Sequence, residues 1–418
     1  MRTDAPLGAV AYLVSRYPAV SHTFILREVQ GLRALGLRVE VASVNAPDRP
    51  HEHMSDGERE EAEATYGIKQ HGVRGALAAL AWAAATRPLG LLRTLREAFG
   101  LGRGMKRVYA LAYAVEAVMV TRWMTRRGLQ HLHVHFGNEA AAVGMLVKTL
   151  GGVGLSLTIH GPDEFDDVPG QRLRQKIEAA DRVVCISQFA RSQLMRLTPP
   201  AHWAKLQLCR LGVDPTRFLP NPARGMDGPV RLLSVGRLAP AKGQLLLLQA
   251  CAQLRADGLD FELTLVGDGP DRARLEAERD RAGLRDCVRL AGALNQAQVR
   301  AALAQADVFV LPSLAEGIPV VLMEAMASGL PVVSCPVNGI PELIEDGCNG
   351  LFASPGDVAS LALALRRLIE DAPLRTRLAV SGRATVEDGF HLGRSVARLA
   401  GLFTEMPTVA RVAASEAR

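Results

Sequence analysis

The stretch "AEGIPVVLMEAMASGLPVVS", residues 315–334, contains the pattern that decides the fold. Pro319 opens an apolar run and fits the first turn of a helix, where its missing backbone N–H does no harm. The segment "PVVSCP" that follows, residues 331–336, has the composition of a buried strand. A helix that leads into a strand without polar positions is typical of a parallel sheet whose two faces are covered by helices.

The same alternation of short apolar runs and helical segments extends over most of the chain. In the first half we predict strands at 8–14, 38–44, 131–136, 155–160 and 182–187. After residue 220 the pattern begins again, with predicted strands at 230–236, 261–267, 287–292, 308–313 and 331–336. Because these strands are apolar throughout and separated by helices, the sequence predicts an α/β protein with two doubly wound, Rossmann-like domains that face each other across a cleft.

The length and the Pro/Gly-rich segments suggest where the domains end. At 418 residues the chain is too long for one ordinary core. We predict a first domain over 1–212, a linker over 213–228, a second domain over 229–392, and a helix with a frayed tail over 393–418 that packs back on the first domain. Ligands of such sheets bind at the carboxyl ends of the strands, so we expect the site in the cleft.

Composition narrows the class of partner and the compartment. The net charge is +6 and the pI is about 9.2, which suits phosphate-bearing small molecules, an anionic membrane face or nucleic acid. Nucleic acid is not expected, because the sequence has no RNP-like aromatic motif and no Cys/His finger. The six cysteines form no CxxC pair and predict buried, reduced thiols. With no signal peptide and no apolar run of about 18 residues, a cytoplasmic protein is expected.

A helix-rich, basic insert at about 72–127 interrupts the first domain. Arginines and lysines alternate there with Leu, Ala and Trp, namely Arg74, Arg93, Arg96, Arg103, Lys106, Arg107, Arg122, Arg126 and Arg127. A basic amphipathic surface can lie on anionic lipid, which would place the protein peripherally on the inner face of the cytoplasmic membrane. The other interpretation is a solvated helix pair packed on the sheet, and the sequence leaves both open.

The opening stretch also contains residues that can bind a sugar. Glu316 lies in the loop at the carboxyl end of a predicted strand, and Glu324 lies about one and a half turns into the following helix. Either carboxylate can accept hydrogen bonds from the hydroxyls of a ribose or a hexose. Backbone N–H groups that can hold an anion at the helix start are those of Gly317, Ile318 and Val320. Taken alone, the two glutamates could also be one helix cap and one exposed side chain.

Two cations complete the pattern at a neighbouring loop. In "SVGRLAPAKGQ", Arg237 and Lys242 follow the first strand of the second domain. Two fixed cations there can neutralise a diphosphate as a metal ion would. The sequence contains no Asp-x-Asp, so neither a metal ion nor another cofactor is expected. Together with Glu316 and Glu324, these residues predict a pocket for a sugar carried on a diphosphate.

This set, an R-x4-K followed by E-x7-E within "EGIPVVLMEAMASGLPVV", resembles the retaining glycosyltransferases of the large GT-B family 4. The resemblance is strong over about 229–350, including "LVGDGP" and "NGIPELIEDGCNG". In the first half, "SRYPAVSHTFILREVQGLRALG" and "HLHVHFG" are similar to the subgroup that builds exopolysaccharides such as colanic acid. The resemblance implies transfer of a sugar from a nucleotide diphosphate sugar to a lipid-linked or saccharide acceptor, with retention of configuration.

The resemblance also implies roles for individual residues. Arg237 and Lys242 would bind the donor diphosphate, Glu316 the donor sugar beside the backbone of 317–319, and Glu324 the ribose. His160, in "TIHGPDEF", matches a cleft histidine that contacts the donor sugar near the reacting carbon. Further residues expected to face the cleft or the acceptor are Asp163, Glu164, Ser21, His22 and Thr23; the last three lie where many relatives have a Gly-Gly loop.

The sequence offers two alternative functions and one competing site. A GT-B sugar-nucleotide epimerase and a non-catalytic sugar-nucleotide-binding protein use the same fold, since fold does not fix function. His131, His133 and His135 alternate along one strand, a spacing that can bind metal. Because no carboxylate or further histidine is placed in sequence to complete such a site, we predict none. The sequence does not indicate whether the donor carries uridine, guanosine or adenosine.

Overall fold

The computed structural model describes residues 8–101, 106–220 and 228–405, apart from the side chains of Ser21, Lys106 and Arg107. The chain forms two compact units. Unit 1 consists of residues 1–186, 190–209 and 396–418, and unit 2 of residues 187–189 and 210–395. Residues 213–220 of the predicted linker thus belong to unit 2, where Val213 is fully buried and pairs with His391. The rest of that linker, 221–227, and the predicted frayed tail after residue 405 lie outside the described residues.

Unit 1 is built on a seven-stranded parallel sheet. Its strands are β1 (Ala9–Arg16), β2 (Arg38–Asn45), β3 (Tyr66–Gly67), β4 (His131–His135), β5 (Gly154–Ile159), β6 (Arg182–Cys185) and β7 (Leu206–Leu208). The order across the sheet is β3-β2-β1-β4-β5-β6-β7. The order reverses beside β1, so the carboxyl ends of β1 and β4 flank the switch point at which such sheets bind ligands.

Helices connect these strands and cover the sheet. They are α1 (Thr23–Ala34), α2 (Asp56–Ala64), α3 (Gly72–Thr86), α4 (Pro88–Leu101), α5 (Lys106–Arg127), α6 (Glu139–Gly151), α7 (Val168–Gln171), α8 (Leu173–Ala179) and α9 (Gln188–Leu197). The small residues of α6 let it lie close to the sheet: a Cβ added to Gly144 would stand 2.8 Å from a Val134 methyl. The described part of the insert contains three helices, α3 to α5, where the helix-pair interpretation had two.

Unit 2 repeats the architecture with a six-stranded parallel sheet in the order β10-β9-β8-β11-β12-β13. Its strands are β8 (Val230–Val235), β9 (Phe261–Val266), β10 (Val288–Gly292), β11 (Val308–Leu311), β12 (Val332–Ser334) and β13 (Leu351–Phe352). Its helices are α10 (Gln244–Ala256), α11 (Arg272–Arg281), α12 (Gln296–Gln305), α13 (Val320–Ala327), α14 (Val358–Glu370) and α15 (Ala372–Gly389). The predicted pair of doubly wound sheets is confirmed; the strands the sequence missed are β3, β7 and β13.

The last helix, α16 (Leu392–Thr404), carries the chain from unit 2 into unit 1. From Val396 onward it packs in unit 1, where a Cβ added to Gly31 of α1 would stand 2.9 Å from a Val396 methyl. The Phe403 ring lies 5.0 Å from the His133 ring of β4. These contacts place the end of the described chain against the histidine-bearing strand.

Two expectations about compartment can be compared with the structure. None of the six cysteines forms a disulfide, and five are buried; Cys348 is exposed, so the expectation of buried thiols is wrong for that residue. Among the described helices, none combines the length and the apolar character needed to cross a membrane.

Candidate donor and catalytic sites

In unit 2, a close approach of two loops brings the predicted residues together. β8 and β11 are neighbours in the sheet, so the loops at their carboxyl ends meet. Gly243, between Lys242 and α10, has φ +68°, and a Cβ there would stand 2.1 Å from the Pro312 carbonyl oxygen. Only glycine fits this left-handed, crowded position. The contact places Lys242 beside the loop that carries Glu316.

Glu316 is buried and has three polar contacts. Its side-chain Oε1 accepts hydrogen bonds from Lys242 Nζ at 2.5 Å and from Ser313 Oγ at 2.8 Å. Its backbone N–H donates to Asn338 Oδ1 at 3.4 Å. Glu316 is 7% exposed and Glu324 is 8% exposed. A buried carboxylate needs a partner, and for Glu316 that partner is the lysine assigned to the diphosphate.

The Lys242–Glu316 ion pair still leaves capacity for a ligand. The lysine side chain is 27% exposed, and an ammonium has three N–H donors, of which Glu316 takes one. Arg237 is exposed, and its side chain has no ion-pair or hydrogen-bond partner among the described residues. Its carbonyl oxygen is held by the buried Gln244 side chain at 3.0 Å. Two cations on this loop can therefore contact an anion.

The start of α13 differs by one position from the prediction. Pro319 occupies the cap position and Val320 is the first helical residue, so the proline precedes the first turn. Proline has no side-chain oxygen, and the helix has no side-chain cap among the described residues. The Leu322 N–H donates to the Pro319 carbonyl oxygen at 3.1 Å, and the N–H of Val320 remains available to an anion. Ile318 in the preceding loop is buried, and so is α13 from Leu322 to Ala327, which includes Glu324. Glu316 is buried as well, and its side chain does not cap α13. The alternative of one capping and one exposed glutamate is therefore wrong.

Three residues near Glu316 were missed by the sequence reasoning. Ser313 and Asn338 hold its side chain and backbone, as described above. Asn338 has φ +49°, a left-handed conformation that asparagine tolerates better than most residues. A Cβ on Gly339 would stand 2.2 Å from the Gly317 carbonyl oxygen, which lets the two loops touch. The segment "NGIPELIEDGCNG" contained the signal, an Asn-Gly pair just after a strand.

In unit 1, His160 follows β5 and is held within a cluster of rings. Its Nε2 lies 2.9 Å from His135 Nδ1, and its ring lies 4.4 Å from that of Phe136 and 5.0 Å from that of Phe24. Burial lowers the pKa of His160 well below its ordinary value, and His135 and His22 lower it further. At neutral pH its imidazole is therefore uncharged.

Glu164 has a different position from the one expected. It is 5% exposed, so it is not available to an acceptor. Its Oε2 accepts the backbone N–H of His160 at 2.5 Å and of Gly161 at 2.9 Å, and its Oε1 accepts the N–H of Gly137. Glu164 thus fixes the loop that carries His160. The neighbouring Asp163 is exposed.

The amino-terminal candidates lie at the start of α1. His22 ends a short 3-10 turn over Val20–His22, and Thr23 begins the helix. The His22 ring lies 4.9 Å from that of Phe136, which also contacts His160. Burial lowers the pKa of His22. The side chain of Ser21 lies outside the described residues.

The alternating histidines of β4 have a carboxylate beside them after all, since α1 brings Glu28 to β4. Its Oε1 lies 3.0 Å from His135 Nε2. Glu28, His133 and His135 offer ligand atoms within 4.8 Å of one another. However, His133 Nδ1 and Nε2 already contact Ser156 Oγ at 2.7 Å and Thr158 Oγ1 at 2.9 Å. The expectation that no carboxylate is placed there is wrong, while the hydrogen bonds describe a satisfied polar network.

The role of Glu164 in holding the loop that carries His160 can be tested. Burial raises the pKa of Glu164 to about 7, against the three N–H donors that lower it. We expect Glu164→Gln to lower the free energy of unfolding of unit 1 by about 1–3 kcal/mol at pH 5, because an amide N–H replaces an accepting oxygen. A folded-state pKa above the ordinary one means that the wild type loses stability as pH rises through about 7. The difference in unfolding free energy between the wild type and Glu164→Gln should therefore become smaller between pH 5 and pH 8.

Urea unfolding followed by circular dichroism at several pH values measures this difference. Asp163→Asn is the matched control, because Asp163 is exposed on the same loop; it should leave the pH dependence of the wild type in place. An unchanged pH dependence in Glu164→Gln would show that Glu164 is not the titrating group.

Comparison with known proteins places both units in one family. A family model described as glycosyltransferase family 4 matches residues 21–217, and one described as glycosyl transferases group 1 matches residues 229–371. The amylovoran biosynthesis glycosyltransferase AmsK of Erwinia amylovora is 32% identical over 402 residues, which are 91% of this chain and 96% of that protein. The putative colanic acid biosynthesis glycosyltransferase WcaL of Escherichia coli K12 is 30% identical, over 85% and 89% of the two chains.

Solved structures share the fold at lower identity. Sucrose-phosphate synthase from Thermosynechococcus elongatus has a TM-score of 0.72 at 20% identity, over 94% of this chain and 98% of its own. HepE of Anabaena in complex with UDP has a TM-score of 0.71 at 18% identity, over 95% and 100%. These likenesses show the GT-B fold alone. The family models and the relatives at 30% identity or more establish that this chain belongs to glycosyltransferase family 4.

Proposed function

We propose that this glycosyltransferase moves a sugar from a nucleoside diphosphate sugar to a lipid-linked or saccharide acceptor during the synthesis of an exopolysaccharide or another cell-surface glycan. The observation that carries the proposal is the Lys242–Glu316 pair, a partly exposed ammonium fixed against a buried carboxylate at the carboxyl end of the unit 2 sheet. An anion and a hydroxyl-bearing group can be bound side by side there. The named roles of AmsK and WcaL in amylovoran and colanic acid biosynthesis support the same substrate class.

The diphosphate of the donor would be held by charge and by backbone. Arg237 and Lys242 supply the cations, and the backbone N–H groups of Gly317, Ile318 and Val320 supply donors at the start of α13. As the bond to the sugar breaks, negative charge grows on the leaving nucleoside diphosphate, and fixed donors stabilise that charge. This arrangement would do the work of a metal ion, so we propose that transfer is metal-independent.

The sugar and the ribose would be held by the two buried carboxylates. In this proposal Glu316 accepts hydrogen bonds from sugar hydroxyls and Glu324 from the ribose. The transition state has the character of an oxocarbenium ion, as in other glycosyl chemistry. We propose same-face attack with retained configuration, in which a donor phosphate oxygen takes the proton of the acceptor hydroxyl. His160 would contact the donor sugar.

Peripheral attachment to an anionic membrane is the second part of the proposal. Several large apolar residues of α3 and α4 are exposed, namely Val73 at 75%, Leu77 at 61%, Leu89 at 69%, Leu92 at 64% and Phe99 at 54%. Exposed Arg74, Arg93 and Arg96 lie among them. The only acid in these two helices, Glu97, is bound by the Thr149 hydroxyl at 2.6 Å. Exposed apolar and cationic side chains with a single acid among them suit an anionic lipid surface.

The donor assignment predicts different effects for the two sides of the ion pair. Lys242→Ala should lower kcat/KM because it removes a charged donor. The expected loss of transition-state stabilisation is about 2–4 kcal/mol. Glu316→Ala should lower turnover of the nucleotide sugar. It should leave affinity for the free nucleoside diphosphate equal or higher, because Lys242 loses its competing partner. Glu324→Ala should weaken both ligands by about 1–3 kcal/mol.

Calorimetric titration of the nucleotide sugar and the free diphosphate against each variant measures these affinities, after a screen of labelled UDP-, GDP- and ADP-sugars has identified the donor. Arg255→Ala, at an exposed arginine of α10, is the control and should change neither ligand. If Glu316→Ala loses the free diphosphate as strongly as the nucleotide sugar, the assignment is wrong. Epimerised sugar, or binding without turnover, would contradict the transferase proposal itself.

Metal independence is tested by the same transfer assay. We expect activity in excess EDTA to stay within about twofold of that without chelator, because Arg237 and Lys242 neutralise the diphosphate. Restoration of a lost activity by Mg²⁺ or Mn²⁺ would show that the two cations do not suffice.

Membrane attachment is tested by co-sedimentation with vesicles. We expect binding to vesicles that contain anionic lipid and little binding to zwitterionic ones. Arg93→Gln with Arg96→Gln should weaken binding by about 1 kcal/mol for each charge removed, and Leu77→Ser with Leu92→Ser should weaken it on both lipids. Leu363→Ser with Val380→Ser is the matched control, because these residues are 60% and 68% exposed in unit 2. Equal losses in the control would contradict the proposed surface.

A further inference from the structure

Four buried polar side chains of unit 1 form a continuous chain of hydrogen bonds. The Tyr12 hydroxyl donates to Glu28 Oε1 at 2.7 Å, and the same oxygen lies 3.0 Å from His135 Nε2. His135 Nδ1 in turn lies 2.9 Å from His160 Nε2. Tyr12 and His135 are 0% exposed, and Glu28 and His160 are each 8% exposed. The chain begins in the sheet and ends at the histidine assigned to the donor sugar.

The protons in this chain can be counted from its chemistry. An ionised carboxylate only accepts hydrogen bonds, so His135 must carry a proton on Nε2 to bond to Glu28. When His135 carries this one proton and no other, its Nδ1 is an acceptor. The short contact to His160 then requires the proton of His160 to lie on Nε2. His160 Nδ1 is left with a lone pair, and no described residue donates a hydrogen bond to it.

We propose that Glu28 is a positioning residue that sets the tautomer and the ring orientation of His160, so that Nδ1 is the atom offered to a hydroxyl of the substrate. The proposal rests on the proposed function, in which His160 contacts the donor sugar. It adds the direction of that contact: His160 accepts a hydrogen bond through Nδ1 and does not donate one.

The surroundings restrict His160 to this arrangement. The rings of Phe24 and Phe136 lie on it, and its backbone N–H is held by Glu164 at 2.5 Å. His133 does not compete for Glu28, since both of its nitrogens contact hydroxyls of β5. Ring and backbone are therefore held by different carboxylates. A buried carboxylate costs stability relative to an apolar residue unless it is well paired. Glu28 is paired with Tyr12 and His135, and His135 contacts His160.

The test observes the tautomers directly, by NMR of the full chain with 15N-labelled histidine at neutral pH. Resonances are assigned with His135→Gln and His160→Gln. In the wild type we expect a proton on Nε2 and none on Nδ1 for both residues. A proton on Nδ1 of His160, or on both nitrogens of His135, would overturn the proposal without any variant of Glu28.

Two variants then separate the positioning role from a structural one. Glu28→Leu removes the acceptor, so His160 should lose its single tautomer. Tyr12→Phe removes another buried hydrogen bond to the same oxygen but leaves the Glu28–His135 contact, so the tautomer should persist. A single Nε2–H tautomer of His160 in Glu28→Leu would contradict the role given to Glu28.

Kinetics complete the test. Glu28→Leu should lower kcat for sugar transfer by about tenfold or more, as expected for a histidine in the wrong tautomer. Its affinity for the free nucleoside diphosphate, which unit 2 binds, should not change. Equal kcat losses in Glu28→Leu and Tyr12→Phe would show that Glu28 only stabilises the fold. If the wild type transfers no sugar, the proposed function fails, whereas the NMR result still decides the tautomer.

Discussion

A carboxylate can be buried only where other groups donate hydrogen bonds to it or neutralise it, and this constraint shapes both candidate sites. Glu316 is buried against the ammonium of Lys242, Glu164 against three backbone N–H groups, and Glu28 against a tyrosine hydroxyl and an imidazole. In each case at least one partner comes from another loop or strand. The requirement to satisfy a buried charge therefore joins segments that are distant in sequence and fixes functional side chains in place.

Much of the fold could be predicted because the strands that form the sheet centres leave a strong pattern. Strands β1, β4, β8 and β11 are largely buried, and β1 and β11 are rich in apolar residues. The strands β3 and β13 have two residues each, too few to show a period. Their backbones pair at sheet edges because longer neighbours are already in place. Local sequence does not contain that information.

The candidate site was predictable in part, for a related reason. The loops that carry Lys242 and Glu316 follow neighbouring parallel strands, so their proximity follows from topology. The direct ion pair between Lys242 and Glu316 does not follow from topology. The two residues are 74 positions apart in sequence, and their pairing depends on the close contact of the two loops at Gly243. Glu164 shows the opposite case. From the sequence, a glutamate close to the candidate site residue His160 is interpreted as a ligand contact, and only the fold shows that its oxygens accept backbone N–H groups.

The two units place their ionisable side chains in different environments. Unit 2 keeps its charges partly exposed, which suits a diphosphate whose charge grows as the bond to the sugar breaks. In unit 1 burial lowers the pKa of His160 and His133, and so keeps these imidazoles neutral. A neutral ring with a fixed lone pair can contact a sugar that is gaining positive charge without repelling it, as a protonated ring would. The burial that keeps the imidazole of His160 neutral would thus suit the role proposed for it beside an oxocarbenium-like sugar.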